Sequence, residues 1–99
     1  MYDSLVDAGV VRAVTEYTAE DGAAFIELFK PCIIATRAAK GCVQYDLLQA
    51  EDEKMFQLVE AWTTEETMTK AGDSAAAKAL KKGLTDAKIE GKTTKYTAV

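Results

Sequence analysis

Several residue types on which enzymes commonly rely are missing from this chain or scarce in it. It contains no histidine and no asparagine, and it has only two cysteines and one proline in 99 residues. Without histidine, a chain cannot build Ser-His-Asp or Cys-His catalysis, histidine-ligated zinc or a proximal-histidine haem. The two cysteines, Cys32 and Cys42, are too few for a zinc or iron–sulfur site. The sequence therefore predicts neither a metal site nor a cofactor.

Long apolar segments are also absent. No run approaches the ~20 residues of a membrane span. Residues 1–9 are acidic, so they lack the basic region with which a secretory signal begins. We therefore expect a cytoplasmic protein that does not bind membranes. The composition, 48% hydrophobic and 28% charged, is that of a globular domain, and 99 residues suffice for one core. We predict a lead-in over residues 1–9 and a single domain over residues 10–99.

Charge is distributed unevenly along the chain, whose net charge is −4. Residues 1–77 hold 14 acidic and 6 basic side chains, whereas residues 78–99 hold 6 lysines and 2 acidic side chains. Nucleic-acid surfaces usually add arginine and aromatic side chains to such a basic region. This one has no arginine and a single aromatic residue, Tyr96. We interpret its lysines as solvated side chains on a helix end and an edge strand, and we predict no nucleic-acid binding.

Hydrophobic periodicity divides the chain into strands and helices. β-Branched residues predict a strand over residues 10–17. A helical period follows and ends at Gly41, with a kink or restart expected near Pro31. The remaining predicted elements are strands over 42–48 and 55–62, helices over 64–72 and 75–82, the second closed by Gly83, and a strand over 89–99. This β-α-β-β-α-β order predicts an α+β, ferredoxin-like fold with helices on one face of a four-stranded antiparallel sheet.

The third predicted strand is apolar on both of its faces. Its residues alternate between a face that packs on the helices and an opposite face, and the second set is Met55, Val59 and Ala61. An apolar sheet face without helices over it favours burial against a second sheet. We therefore expect a homodimer that forms through the sheet faces.

Three segments of the chain resemble the antibiotic biosynthesis monooxygenase family of dimeric α+β barrels. They are GCVQYDL at 41–47, FQLVEAW at 56–62 and SAAAKAL at 74–80, and the resemblance extends over nearly the whole chain. It implies two protomers packed sheet against sheet, each with a substrate pocket between its own sheet and helices. It also implies activities that range from cofactor-independent oxygenation of polycyclic phenols and quinols to haem degradation and isomerisation.

The chain departs from that family in its last helix. The Pro, His and Phe of a common family motif are replaced by Ala75, Ala76 and Ala77. The axial histidine and first-strand asparagine of the haem-degrading members are also missing, at positions near Lys81 and Ala13. The resemblance therefore implies no haem degradation, and the three alanines imply a roomier and less polar pocket.

Trp62 and Glu60 are the candidate catalytic residues. The resemblance places Trp62 in the pocket wall, where its ring would stack on an aromatic substrate and its N–H would donate to a phenolate; alternatively, Trp62 is a core residue that closes the sheet. Glu60 shares this strand face, and burial would raise its pKa into the range of a general base. The alternative for Glu60 is a salt bridge to Arg12 or to a lysine, or a hydrogen bond across the dimer.

Four aromatic residues are the candidate substrate-binding residues. The hydroxyl group of Tyr45 or that of Tyr17 could bind a quinol oxygen. The alternative is that both tyrosines serve only in packing, as strand tyrosines commonly do. Phe25 and Phe29 lie on the apolar stripe of the first helix, where core and pocket wall coincide. Our first hypothesis is a cofactor-independent monooxygenase that oxidises a small aromatic quinol or phenol with dioxygen. The alternatives are a non-catalytic dimeric binding or stress-response module and a small-molecule isomerase.

Overall fold

A computed structural model describes residues 10–97 of the chain. The predicted lead-in over residues 1–9 lies outside the described residues, as do residues 98 and 99. The elements are β1 (Val11–Thr18), α1 (Gly22–Arg37), β2 (Cys42–Gln49), β3 (Met55–Trp62), α2 (Glu65–Gly72), α3 (Ala75–Asp86) and β4 (Lys92–Thr97). Their order, β-α-β-β-α-α-β, confirms the ferredoxin-like α+β fold.

The four strands form one antiparallel sheet in the order β2-β3-β1-β4. Their register places four residues side by side across the sheet, on the face that carries the helices. Tyr45 pairs with Glu60, Glu60 pairs with Ala13, and Ala13 pairs with Lys95. We call this set the central row. It positions most of the candidate site, because these side chains point to the same face.

Side-chain caps explain where the helices begin. Asp21 accepts a hydrogen bond from the backbone N–H of Ala24 at the start of α1, and Ser74 accepts one from Ala77 at the start of α3. Such caps satisfy N–H groups that have no partner within the helix. Within residues 10–97, no helix has the length and apolarity that crossing a bilayer requires.

Two helix boundaries differ from the sequence prediction. Helix α1 continues through Pro31 without a restart and ends at Arg37, before Gly41. The buried residues Phe29 and Cys32 lie on either side of Pro31, so packing holds this part of α1 helical despite the missing N–H. Helix α3 continues through Gly83 to Asp86. A Cβ at position 83 would overlap the side chain of Leu28, so a glycine is required there. The glycine allows α1 and α3 to approach each other closely.

The two faces of the sheet differ in burial. On the helix side, Trp62, Phe25 and Phe29 are the largest fully buried side chains of the described chain. On the opposite face Met55 is 49% exposed and Val59 is half-buried, as expected for an apolar surface without helices. Ala61, which the sequence placed on this exposed surface, is fully buried. The exposed apolar surface of β3 is therefore smaller than predicted.

Candidate active site

A cavity of about 270 Å³ lies between the helix-bearing face of the sheet and the helices. Most of its wall is apolar. Its larger polar side chains are Tyr17, Tyr45, Glu60, Lys81 and Lys95. Ligand pockets commonly span ~300–1,000 Å³, and a cavity of ~150 Å³ is enough for benzene. The space therefore fits one aromatic ring or two fused rings.

Glu60 and Trp62 form a hydrogen-bonded pair in the cavity wall. The indole Nε1–H of Trp62 donates to Oε1 of Glu60 over 3.0 Å. Side chains two residues apart on a strand point to the same face, so Glu60 and Trp62 of β3 are neighbours. Within residues 10–97 Glu60 forms no ion pair, so the predicted salt bridge to Arg12 or to a lysine is absent. The sequence predicted that the Trp62 N–H would donate to a phenolate of the substrate. In the structure this N–H donates to Glu60 instead.

Burial sets the protonation behaviour of Glu60. Desolvation raises the pKa of this half-buried carboxyl group above its usual range, and the hydrogen bond from Trp62 opposes part of that rise. A carboxylate with a raised pKa accepts a proton more readily than an exposed one. This environment makes Glu60 a candidate general base.

Tyr17 and Tyr45 bring two hydroxyl groups to the same cavity. Burial, and then the nearby charge of Glu60, raise the pKa of Tyr17 to about 12. Burial and the hydrogen bond with Cys32 raise the pKa of Tyr45 well above its usual range. Both groups stay protonated at neutral pH and can act as donors. The Tyr45 hydroxyl lies 3.5 Å from Sγ of Cys32, whereas the Tyr17 hydroxyl has no hydrogen-bond partner among residues 10–97.

Phe25 and Phe29 lie behind the cavity rather than in its wall. Both are buried, and their ring centroids lie 5.3 and 5.6 Å from that of Tyr17. Neither residue lines the cavity, so the structure does not support the expectation that they contact a substrate. Their rings pack against the ring of Tyr17.

The alanines of the last helix contribute unequally. Ala77 lines the cavity and is buried, whereas Ala75 is exposed and Ala76 half-buried, and neither lines the cavity. The expected enlargement of the pocket thus depends on Ala77 alone.

Sequence reasoning missed the wall contributed by β4. Thr93 and Lys95 both line the cavity, and the hydroxyl of Thr93 lies 2.8 Å from that of Thr15. Their spacing of two residues was a usable signal, but their partners on β1 become known only with the strand register. The described residues contain no group of three or more cysteine or acidic side chains placed to hold a metal ion.

The fold closely matches solved structures of low sequence identity. A conserved protein from Methanosarcina mazei has a TM-score of 0.87 and 20% identity, with coverage of 97% of this chain and 99% of that one. PA3566 from Pseudomonas aeruginosa has a TM-score of 0.83 and 18% identity, with coverage of 94% and 97%. SnoaB, a cofactor-independent oxygenase from Streptomyces nogalater, has a TM-score of 0.82 and 18% identity, with coverage of 92% and 94%.

These likenesses show the fold, whereas the sequence itself shows the family. No curated protein matches the chain. The sequence profile of the antibiotic biosynthesis monooxygenase family, however, matches residues 9–83, about three quarters of the chain. The segments 41–47, 56–62 and 74–80, from which the resemblance was inferred, all lie within this match. The chain therefore belongs to the antibiotic biosynthesis monooxygenase family.

Proposed function

We propose that this protein is a cofactor-independent monooxygenase that oxidises a small aromatic phenol or quinol with dioxygen. The observation that carries the proposal is the placement of Glu60. It is the one carboxylate in the wall of a mostly apolar cavity of about 270 Å³, and its orientation is fixed by Trp62. Family membership and the oxygenase SnoaB among the structural matches add support.

The first step is removal of the phenol proton. Ionised Glu60 accepts this proton, and its raised pKa narrows the gap to the pKa of a phenol, near ~10 in water. The resulting phenolate oxygen accepts hydrogen bonds from the hydroxyl groups of Tyr17 and Tyr45, which remain protonated because their pKa values are raised. Donors fixed in a dry cavity stabilise such a charge without reorganisation.

The second step uses the phenolate itself as reductant. It gives one electron to dioxygen, and the two radicals combine to form a C–O bond at a hydrogen-bearing ring carbon ortho or para to the hydroxyl. The peroxide then takes the proton back from Glu60. Loss of water from this hydroperoxide leaves a quinone. One oxygen atom of dioxygen ends in the quinone and the other in water, and all four electrons that reduce dioxygen come from the substrate. The protein's part is to bind, deprotonate and exclude water.

Oxygen uptake tests the proposal directly. The wild-type protein is expected to consume dioxygen with members of a panel of simple hydroquinones, naphthols and anthrone, at rates well above autoxidation in buffer. Mass spectrometry with isotopically labelled dioxygen should find one labelled atom in each quinone, and catalase should return no oxygen. If no panel member supports uptake above autoxidation, the oxygenase proposal fails.

A binding module of the same fold is the second candidate. The observation that favours it is Ala77, because this small apolar side chain faces the cavity where a polar group could otherwise serve the reaction. A protein that binds panel members without consuming dioxygen would establish this second function in place of the first.

We also propose a homodimer that forms through the sheet face without helices. Met55 and Leu48 are 49% and 50% exposed there, and apolar side chains of this size are usually buried against a partner. Sedimentation at micromolar concentration should give the mass of two chains. Leu48→Glu should shift the mass towards one chain, whereas Ile34→Glu, at an exposed position of α1, should not. A folded wild-type monomer would contradict the proposal.

The compartment we propose is the cytoplasm. Cys32 and Cys42 are both free thiols in the described chain. Free thiols of this kind persist most readily where glutathione and thioredoxin keep them reduced.

A further inference from the structure

The mouth of the cavity is flanked by positive charge. Ten of the residues that line the cavity are buried, whereas Lys81, Thr93 and Lys95 are exposed and therefore mark its opening to solvent. Lys81 lies on α3 and Lys95 on β4, so the two ammonium groups belong to separate elements. A ligand that enters the cavity passes between them.

The two lysines differ in how their charge is balanced. Nζ of Lys95 lies 2.6 Å from Oε2 of Glu65, at the start of α2. Lys81 forms no ion pair with any of residues 10–97. The neighbouring Lys82 pairs with Asp86 over 3.0 Å, so the one acidic side chain of α3 is already engaged. Lys81 is thus the unbalanced cation at the mouth.

The central row sets the backbone spacing between Glu60 and Lys95. Glu60 and Lys95 lie two strands apart, with the small side chain of Ala13 between them. Neighbouring strands lie ~4.8 Å apart, so the two backbone positions are separated by ~10 Å. This backbone spacing is on the scale of two fused aromatic rings, and Lys81 of α3 lines the same cavity. Ala13 itself lines the cavity.

We propose that the substrate is an aromatic phenol with a carboxylate at the end opposite its hydroxyl, and that Lys81 selects it. This inference rests on the proposed function, since it places the hydroxyl at Glu60 and the carboxylate at the mouth. Lys81 contacts the carboxylate of the substrate. Lys95 also attracts this carboxylate when its ion pair with Glu65 is broken. Lys81 is a specificity-determining residue in this arrangement and takes no part in the oxidation.

Binding of a matched pair of probes tests the proposal. The probes are 2-naphthol and 6-hydroxy-2-naphthoic acid, which differ by the carboxylate alone. Affinity is measured by calorimetry. Occupancy is located by the indole N–H resonance of Trp62, the single tryptophan of the chain. The carboxylated probe should bind about fivefold more tightly at low salt, as expected for one partly exposed ion pair, and less so at high salt.

Three variants separate Lys81 from general surface charge. Lys81→Gln should remove most of the preference for the carboxylated probe, so that the two probes bind with nearly equal affinity. Lys82→Gln makes the same change in charge outside the cavity, and it should retain the preference. Glu65→Gln frees Lys95 and should increase the preference.

The outcomes distinguish this inference from the proposed function. If both probes bind and shift the Trp62 resonance with equal affinity, or if Lys81→Gln retains the preference, the carboxylate proposal is wrong while the aromatic site stands. If neither probe binds, the aromatic site of the proposed function fails as well. Inorganic phosphate at equal ionic strength should not displace the carboxylated probe. Displacement would indicate a general anion site and would overturn the proposal.

Discussion

Replacement of Glu60 by glutamine is expected to lower kcat for the aromatic substrate by about 10²–10⁴-fold, the range typical of a lost general base. Glutamine retains an oxygen that can accept the Trp62 N–H, but it cannot take up the phenol proton. The measurement is the initial rate of oxygen uptake at saturating substrate. Glu66→Gln, which removes an exposed carboxylate outside the cavity, is the matched control and should leave kcat unchanged.

Stability provides the check that the Glu60 variant has not simply unfolded. The pKa of Glu60 is raised in the folded state, so the folded protein binds this proton more tightly than the unfolded chain does. Between the usual pKa and the raised one, the free energy of unfolding therefore falls as pH rises, and the loss persists at neutral pH. Glu60→Gln removes this loss, so its thermal midpoint should equal or exceed that of the wild type. A large fall in the midpoint would indicate a structural role instead.

The pH profile separates the roles of Glu60 and Trp62. If ionised Glu60 is the base, the wild-type rate rises with pH as this carboxyl group loses its proton. Trp62→Phe removes the N–H that lowers the Glu60 pKa, so the rising limb should move to higher pH while the plateau changes little. A reduced plateau with an unmoved limb would mean that Trp62 acts on the substrate directly.

Phe29→Ala is expected to lower the free energy of unfolding by about 3–5 kcal/mol, as for other buried phenylalanines. Phe29 is fully buried, and its ring lies 5.2 Å from that of Phe25 and 5.6 Å from that of Tyr17, so the truncated side chain leaves a cavity in the centre of the core. The total free energy of unfolding of a domain of this size is only ~5–15 kcal/mol. Urea unfolding at a fixed protein concentration measures the loss, because a dimer makes the midpoint depend on concentration.

Two further variants bracket the Phe29 result. Ile34 lies on the same helix and is 74% exposed, so Ile34→Ala should change stability by no more than about 0.5 kcal/mol. Phe29→Leu should lower the free energy of unfolding by less than Phe29→Ala does. This variant keeps the loss measurable if Phe29→Ala does not fold. A loss below about 1 kcal/mol for Phe29→Ala would contradict the packing described above.

The strand patterns determined much of the candidate site in advance. A period of two along β3 placed Glu60 and Trp62 on one face with Phe56 and Leu58, and that face is the one under the helices. Tyr17 and Tyr45, which the sequence offered as candidate substrate-binding residues, also line the cavity. Local sequence sufficed for these assignments because the direction of a strand side chain follows from its position alone.

The helix boundaries show where local signals were insufficient. Pro31 and Gly83 usually interrupt or end a helix, and the sequence predicted that they do so here. In the structure both lie inside continuous helices. Burial of Phe29 and Cys32 outweighs the hydrogen bond lost at Pro31, and contact with Leu28 requires the small residue at position 83. Neither cause can be identified before the packing of α1 and α3 is known.

The sequence by itself determined the family, the order of elements, the inward face of β3 and the absence of histidine chemistry. Tertiary structure alone decided that the Trp62 N–H binds Glu60, that Phe25 and Phe29 pack against Tyr17 instead of lining the cavity, and that two lysines flank its mouth. The physical reason is that sequence patterns report on residues close together in the chain. Periodicity along one strand or helix fixes direction, whereas distances between side chains depend on register and helix packing, which bring together residues far apart in the chain.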